Sequence, residues 1–90
     1  TNVRPAGLQR LGLDAETLAK KFPRLIYGII TGYGLSGPDV DKAGYDVGAF
    51  YARSGLAHTM VAPDELPPGI RSGQGDHTTG MALASGVMAA

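Results

Sequence analysis

Residues 25–37 read Leu25-Ile26-Tyr27-Gly28-Ile29-Ile30-Thr31-Gly32-Tyr33-Gly34-Leu35-Ser36-Gly37, and the fold turns on how this stretch is understood. Leu25–Thr31 is nearly continuous apolar and β-branched. A run without polar alternation fits a strand covered on both faces, as in a parallel sheet. Upstream, Asp14 precedes Ala15-Glu16-Thr17 and reads as a helix N-cap, its carboxylate accepting from an orphan N–H of the first turn. Leu13 and Leu18 stand at the spacing of a hydrophobic staple. Glu16 and Lys20 form an i,i+4 pair in the favourable order, and Pro23 stops the helix at about Phe22. A helix over 14–22 followed by a strand over 25–31 is an αβ step. The expected fold class is α/β with an open parallel sheet: a helix, a strand, a long loop and two helices.

On the N-terminal side, Arg4-Pro5 fixes an extended backbone, because proline pushes its predecessor out of the α region. Leu8, Leu11 and Leu13 then supply a small apolar patch. On the C-terminal side, Gly32–Gly44 is turn-rich. A helix is expected from Tyr45 or Asp46, with Val47, Phe50, Tyr51 and Ser54 on one face, and Gly55 ends it. Ala62–Gly75, with three prolines and three glycines, is a second long loop of the kind that is functional when it sits in a compact domain. Asp76–Ala90 is the last expected helix, carrying Gly, Ala, Ser and Thr on all sides, so another backbone can approach it closely.

Composition bounds the function. The 90 residues include 14 Gly, about twice the usual ~7%, and no Cys or Trp. Eight basic residues balance eight acidic ones, which excludes a basic nucleic-acid footprint and a polybasic membrane patch. Without Cys there is no disulfide framework, no thiolate zinc site and no thiol nucleophile. No apolar run approaches the roughly 20 residues of a membrane span, and no signal-peptide pattern opens the chain. The expected compartment is the cytoplasm, with no nucleic-acid or membrane partner. The chain starts on Thr1, and its last helical pattern has neither a Gly cap nor a basic last turn. The expectation is therefore a single partial domain over 1–90, truncated at both ends.

Two motifs carry chemistry. Gly32-Tyr33-Gly34-Leu35-Ser36-Gly37 is G-x-G-x-x-G directly after the expected strand, the pattern that places a dinucleotide pyrophosphate on a helix N-terminus. Pro38 follows the third glycine, however, no good helix former comes before Tyr45, and the ribose-binding acid about 20 residues on is missing. The better reading is a loop at a strand's carboxyl end, which in open α/β sheets is still where ligands bind. The second motif is Gly75-Asp76-His77-Thr78-Thr79-Gly80, where a loop meets a helix. Asp76 is open to two readings: an N-cap that stabilises its helix by about 1 kcal/mol, or a carboxylate nucleophile with flanking glycines that let a bulky substrate approach. His58 and His77 have no ligand spacing around them, so no metal site is expected.

Taken together, three stretches resemble the family III CoA-transferases, which include formyl-CoA transferase, carnitine CoA-transferase and α-methylacyl-CoA racemase. They are Asn2-Val3-Arg4-Pro5 with Leu11-Gly12-Leu13; Pro23-Arg24-Leu25-Ile26-Tyr27 through Gly37-Pro38 to Gly44-Tyr45-Asp46; and Gly75-Asp76-His77-Thr78-Thr79-Gly80. The Gly-Asp-His-x-x-Gly form, with Tyr51-Ala52-Arg53-Ser54-Gly55 before it, is most similar to the 2-hydroxyacyl or aryllactate CoA-transferases. The resemblance implies a Rossmann-like large domain. It implies that Asp76 is the nucleophile, forming an acyl-aspartyl anhydride and then an aspartyl-CoA thioester as CoA passes from an acyl-CoA to a carboxylic acid. It further implies that Asn2, Val3, Arg10 and Lys42 line the CoA site, that no cofactor is needed, and that the parent protein is an interlocked homodimer.

Departures from the family pattern define the alternatives. The racemase pairs an aspartate with a histidine, and that histidine's position holds Tyr45 here. Tyrosine, with an ordinary pKa of about 10, is a poor base near neutral pH, which argues for transfer over racemisation. Val3 stands where the family usually carries an aromatic. The family's glycine-rich loop that closes over the aspartate does not occur in these residues, so this segment by itself is expected to be inactive. Outside the family, the alternative is a non-catalytic nucleotide-binding or structural module.

Overall fold

Local signals account for the helices in the computed structural model, which describes all 90 residues. Helix α1 (Pro5–Leu11) opens on a proline at its first position, where the missing N–H is no loss. It closes at Gly12, whose φ of +65° lets the Leu13 N–H donate back to the Leu8 carbonyl at 2.9 Å. Helix α2 (Ala15–Lys21) starts as its sequence predicts: Asp14 is the N-cap, and its carboxylate accepts the Thr17 N–H at 2.9 Å. Lys20 donates to Glu16 at 2.7 Å. Both groups are largely exposed, so the pair contributes only a few tenths of a kcal/mol, roughly.

The expected parallel sheet is not formed, and the structure contains no strand. Leu25–Thr31 is non-helical and lies half-buried from Tyr27 onward; apart from the local turn in which the Leu25 N–H donates to the Phe22 carbonyl, its backbone partner is Thr1. The Thr1 ammonium donates to the Gly28 carbonyl, and the Ile30 N–H donates to the Thr1 carbonyl, each at 2.9 Å. That alternation is the one by which a residue joins a parallel neighbour, but it extends over one residue. A ladder needs a second extended segment of comparable length, and none lies beside 25–31.

The helix expected from Tyr45 exists as Asp46–Ala52, wound as a π-helix. The Arg53 N–H reaches back five residues to the Gly48 carbonyl at 2.9 Å. This wider winding shifts the phase of the face: Tyr51 turns inward, 5% exposed, while Val47 points out. The Tyr51 hydroxyl donates to the Pro68 carbonyl and so pins the second long loop. Helix α3 (Leu56–Thr59) follows Gly55, which has φ +87°. Helix α4 (Gln74–Ala89) begins two residues before the predicted start.

Helix α4 lies against the π-helix and across the 25–31 segment. A methyl at Gly75 would stand 2.6 Å from Phe50 Cβ. One at Gly28 would stand 3.1 Å from a Leu83 methyl and 3.4 Å from Val87. The small residues on these two surfaces are what allow the approach. The buried set is nevertheless only Leu8, Tyr51 and Gly75. The radius of gyration is 15.9 Å, against ~12 Å for a compact chain of this length. The last helix, read as packed against a neighbour, is buried only at Gly75, and its Met81 and Met88 are exposed.

Candidate active site

Five segments, among them the π-helix with Asp46, Ala49 and Phe50, converge on one cleft of about 610 Å³. The N-terminal segment brings Asn2 and Arg4, the 30–32 turn brings Gly32, the end of the first long loop brings Lys42 and Tyr45, and α4 brings Asp76. Two close approaches shape it. Gly32 and Gly44 meet backbone to backbone, and the Arg4 guanidinium donates to the Asp41 carbonyl at 2.9 Å. Together they tie the N-terminal segment and the end of the 25–31 stretch to the first long loop.

Asp76 is not the N-cap of α4. Gly73 is, with φ +83° and no side chain to offer, which places Asp76 on the third helical residue. Its carboxylate is exposed on the cleft wall and makes no hydrogen bond or ion pair with the protein. Thr79 and Leu83 follow it down the same wall at helical spacing. Among the N–H groups of the first turn, Gln74 donates to the Arg71 carbonyl, Asp76 to the Asp46 carboxylate and His77 to the Gly73 carbonyl. The Gly75 N–H is left as the unclaimed donor beside Asp76.

The positions assigned to CoA divide. Asn2 and Lys42 line the cleft with Asp76, whereas Val3 and Arg10 do not. Val3 packs on Gly7 inside the N-terminal turn, and Arg10 lies in the last turn of α1. Arg4, not singled out in the sequence, is a second cation on the cleft wall; its place after Asn2-Val3 was legible, but its contact with Asp41 spans 37 residues. Lys42 is held by Asp39 at 2.7 Å, and Asp39 also takes Arg53 at 3.2 Å. The hydrogen bond from Lys42, aided by the charges of Lys42 and Arg53 and opposed by partial burial, holds the Asp39 carboxyl below the usual carboxylate range. Arg53 in turn stands over the Tyr33 ring, 5.8 Å from its centroid.

The glycine motif at 32–37 does not open a helix. Gly34 and Gly37 have φ of +89° and +100°, and the next helical residue is Asp46. The dinucleotide arrangement needs a helix N-terminus at the motif, so the loop does not offer one. His58 and His77 are both exposed, and no three His, Asp or Glu side chains gather where a metal could be held. No helix is long and apolar enough to cross a membrane.

The chain is similar to known proteins along its length. The chain is 47% identical over 90 residues to a cinnamoyl-CoA:phenyllactate CoA-transferase of Clostridium sporogenes, matching all of this chain and 22% of that protein. It is 40% identical to an (R)-2-hydroxy-4-methylpentanoate CoA-transferase of Clostridioides difficile, again over its whole length and 23% of the relative. It also superposes on the crystal structure of a CAIB/BAIF family protein from Brucella suis with a TM-score of 0.82 at 34% identity, covering 98% of this chain and 23% of that one. The chain thus spans under a quarter of the length of the relatives it matches. The family pattern of CoA-transferase family III matches residues 1–90 throughout, and the chain belongs to that family.

Proposed function

We propose that the protein bearing this segment transfers CoA from an acyl-CoA to a carboxylic acid, with Asp76 as the nucleophile. The observation that carries this reading is the Asp76 carboxylate itself: unpartnered, on a cleft wall, in the first turn of a sixteen-residue helix. Aligned peptide dipoles favour negative charge at that end of a helix. The carboxylate oxygen attacks the thioester carbonyl, giving an acyl-aspartyl anhydride and CoA thiolate. The thiolate attacks the aspartyl carbonyl, so the donor acid leaves as its carboxylate and an aspartyl-CoA thioester remains. The acceptor carboxylate attacks that thioester, releasing the thiolate, which then takes the acceptor acyl carbonyl and regenerates Asp76. Each step moves one acyl bond and needs no redox partner. The Gly75 N–H, which no protein acceptor takes, is the backbone donor available to an oxyanion formed at Asp76.

Lys42 and Arg4 supply cations for the CoA phosphates. Val40, Tyr45, Phe50 and Leu83 give the cleft an apolar side for an acyl chain. The names of the two clostridial relatives support a 2-hydroxy acid as acceptor. Tyr45 on the cleft wall, in place of a basic histidine, favours transfer over racemisation. The test is to incubate the parent protein with acyl-CoA, quench with hydroxylamine and map the product by mass spectrometry. A hydroxamate on Asp76 is expected, together with a loss of activity on the order of 10³-fold or more in Asp76→Asn. Full activity in that variant, or a hydroxamate elsewhere, overturns the assignment.

A further inference from the structure

The N-terminus of α4 lacks a cap of its own. Gly73 has no side chain to accept from the first turn, and Asp76, three residues on, stands at the position whose side chain ordinarily folds back on the N-cap N–H. In a capping box two side chains divide the work: the N-cap residue accepts from the third N–H, and the third residue accepts from the N-cap N–H. Here one carboxylate from elsewhere in the chain does both. Asp46 accepts the Gly73 N–H with one oxygen and the Asp76 N–H, at 3.1 Å, with the other. It reaches them across 27 and 30 residues from the first turn of the π-helix. Gly75 permits the reach: a methyl there would stand 2.7 Å from the same Asp46 oxygen.

We infer that Asp46 is the positioning residue for Asp76. By occupying both capping-box donors it removes the N-cap N–H on which the Asp76 side chain would otherwise fold back, and so keeps its carboxylate turned to the cleft, free to attack. Three observations converge on this. Both donors of the box are taken by a single acid; the Asp76 carboxylate is unbonded although it stands within a first turn; and both acids line the same cleft. A π-helical start suits the task, since such segments recur where a side chain must be aimed at a site. Asp46 does not itself meet the substrate in this account. Its effect passes through the backbone of residues 73–76.

The inference rests on Asp76 as nucleophile, and its test separates the two. In the parent protein, Asp46→Asn keeps the size but offers one acceptor oxygen where two are needed. The expected result is a fall in kcat of about 10–100-fold with KM for acyl-CoA within about twofold, because the charge-assisted bonds aim the nucleophile and do not hold CoA. Amide hydrogen exchange should quicken at Gly73 and Asp76 while the Leu83–Val87 amides stay protected. Asp46→Glu, which restores two oxygens, should recover at least part of the lost kcat. If Asp46→Asn does not fold, Asp46→Ser, smaller and with a single oxygen, is read in the same way. A kcat within twofold of wild type, KM rising in step with any loss, or exchange quickening along the whole of α4 would each overturn the positioning role. If Asp76→Asn is fully active, the nucleophile assignment fails; the exchange result at Gly73 and Asp76 still decides whether Asp46 caps the helix.

Discussion

Gly32 and Gly44 face each other with nothing between their backbones: a methyl built on either would clash with the other's Cα. This crossing joins the end of the 25–31 segment to the end of the first long loop, and both residues line the cleft that holds Asp76. The glycine excess of the sequence serves here to let two segments of the chain touch, and not only to give freedom of rotation.

Alanine at Gly32 or Gly44 must therefore push the two segments apart. The expected cost is about 1–3 kcal/mol, the range for overpacking a close contact. It should appear as a lower melting temperature in a thermal scan, and as lost activity in the parent protein because the cleft wall moves. Gly34→Ala is the contrast: no atom lies within 4 Å of the added methyl, and only its φ of +89° opposes the change. Equal losses at all three positions would mean that backbone conformation, not the crossing, is what matters.

Lys42 is expected to affect binding more than turnover. It stands between Asp39 and the cleft, so it can exchange its carboxylate partner for a phosphate. Lys42→Ala should raise KM for acyl-CoA several-fold, about 1 kcal/mol for a largely exposed charge-assisted contact, and leave kcat little changed. The effect should shrink as salt is added. Initial rates at low and high ionic strength measure it; an unchanged KM at low salt would remove Lys42 from the CoA site.

Asp14 gives α2 a dependence on pH. The Thr17 N–H beside its carboxylate holds the Asp14 carboxyl below the ordinary carboxylate range. A group whose folded pKa is lowered contributes stability above its unfolded value of about 3.9, and that contribution is lost as pH falls through the folded value. Asp14→Asn retains the acceptor and removes the titration. Melts recorded from about pH 6 down to about pH 2 should lose stability less steeply in the variant; an identical acid limb would exclude Asp14 as a contributor.

Much of the fold was legible locally. Asp14, Glu16 and Pro23 bracket α2 to within a residue, because caps, stops and i,i+4 pairs act within one or two turns. Leu25–Thr31 forms no strand within these 90 residues, because an apolar β-branched run states only that a segment could be covered on both faces. A strand also needs a partner, and Thr1 alone provides it here. The π-winding of Asp46–Ala52 was not legible either, since the same face spacing serves an α-helix.

The sequence by itself determined the family, through three ordered motifs, and with it the identity of Asp76 as the residue to examine. It also determined the start and stop of α2. Only the tertiary structure decided what Asp76 is free to do. Its local sequence permitted an N-cap, and distance along the chain hid the acid that takes that duty instead. Asp46 lies 30 residues from the Asp76 N–H it accepts. Hydrogen bonds form between groups near in space, so the chain had to be folded before the capping acid and the free acid could be told apart.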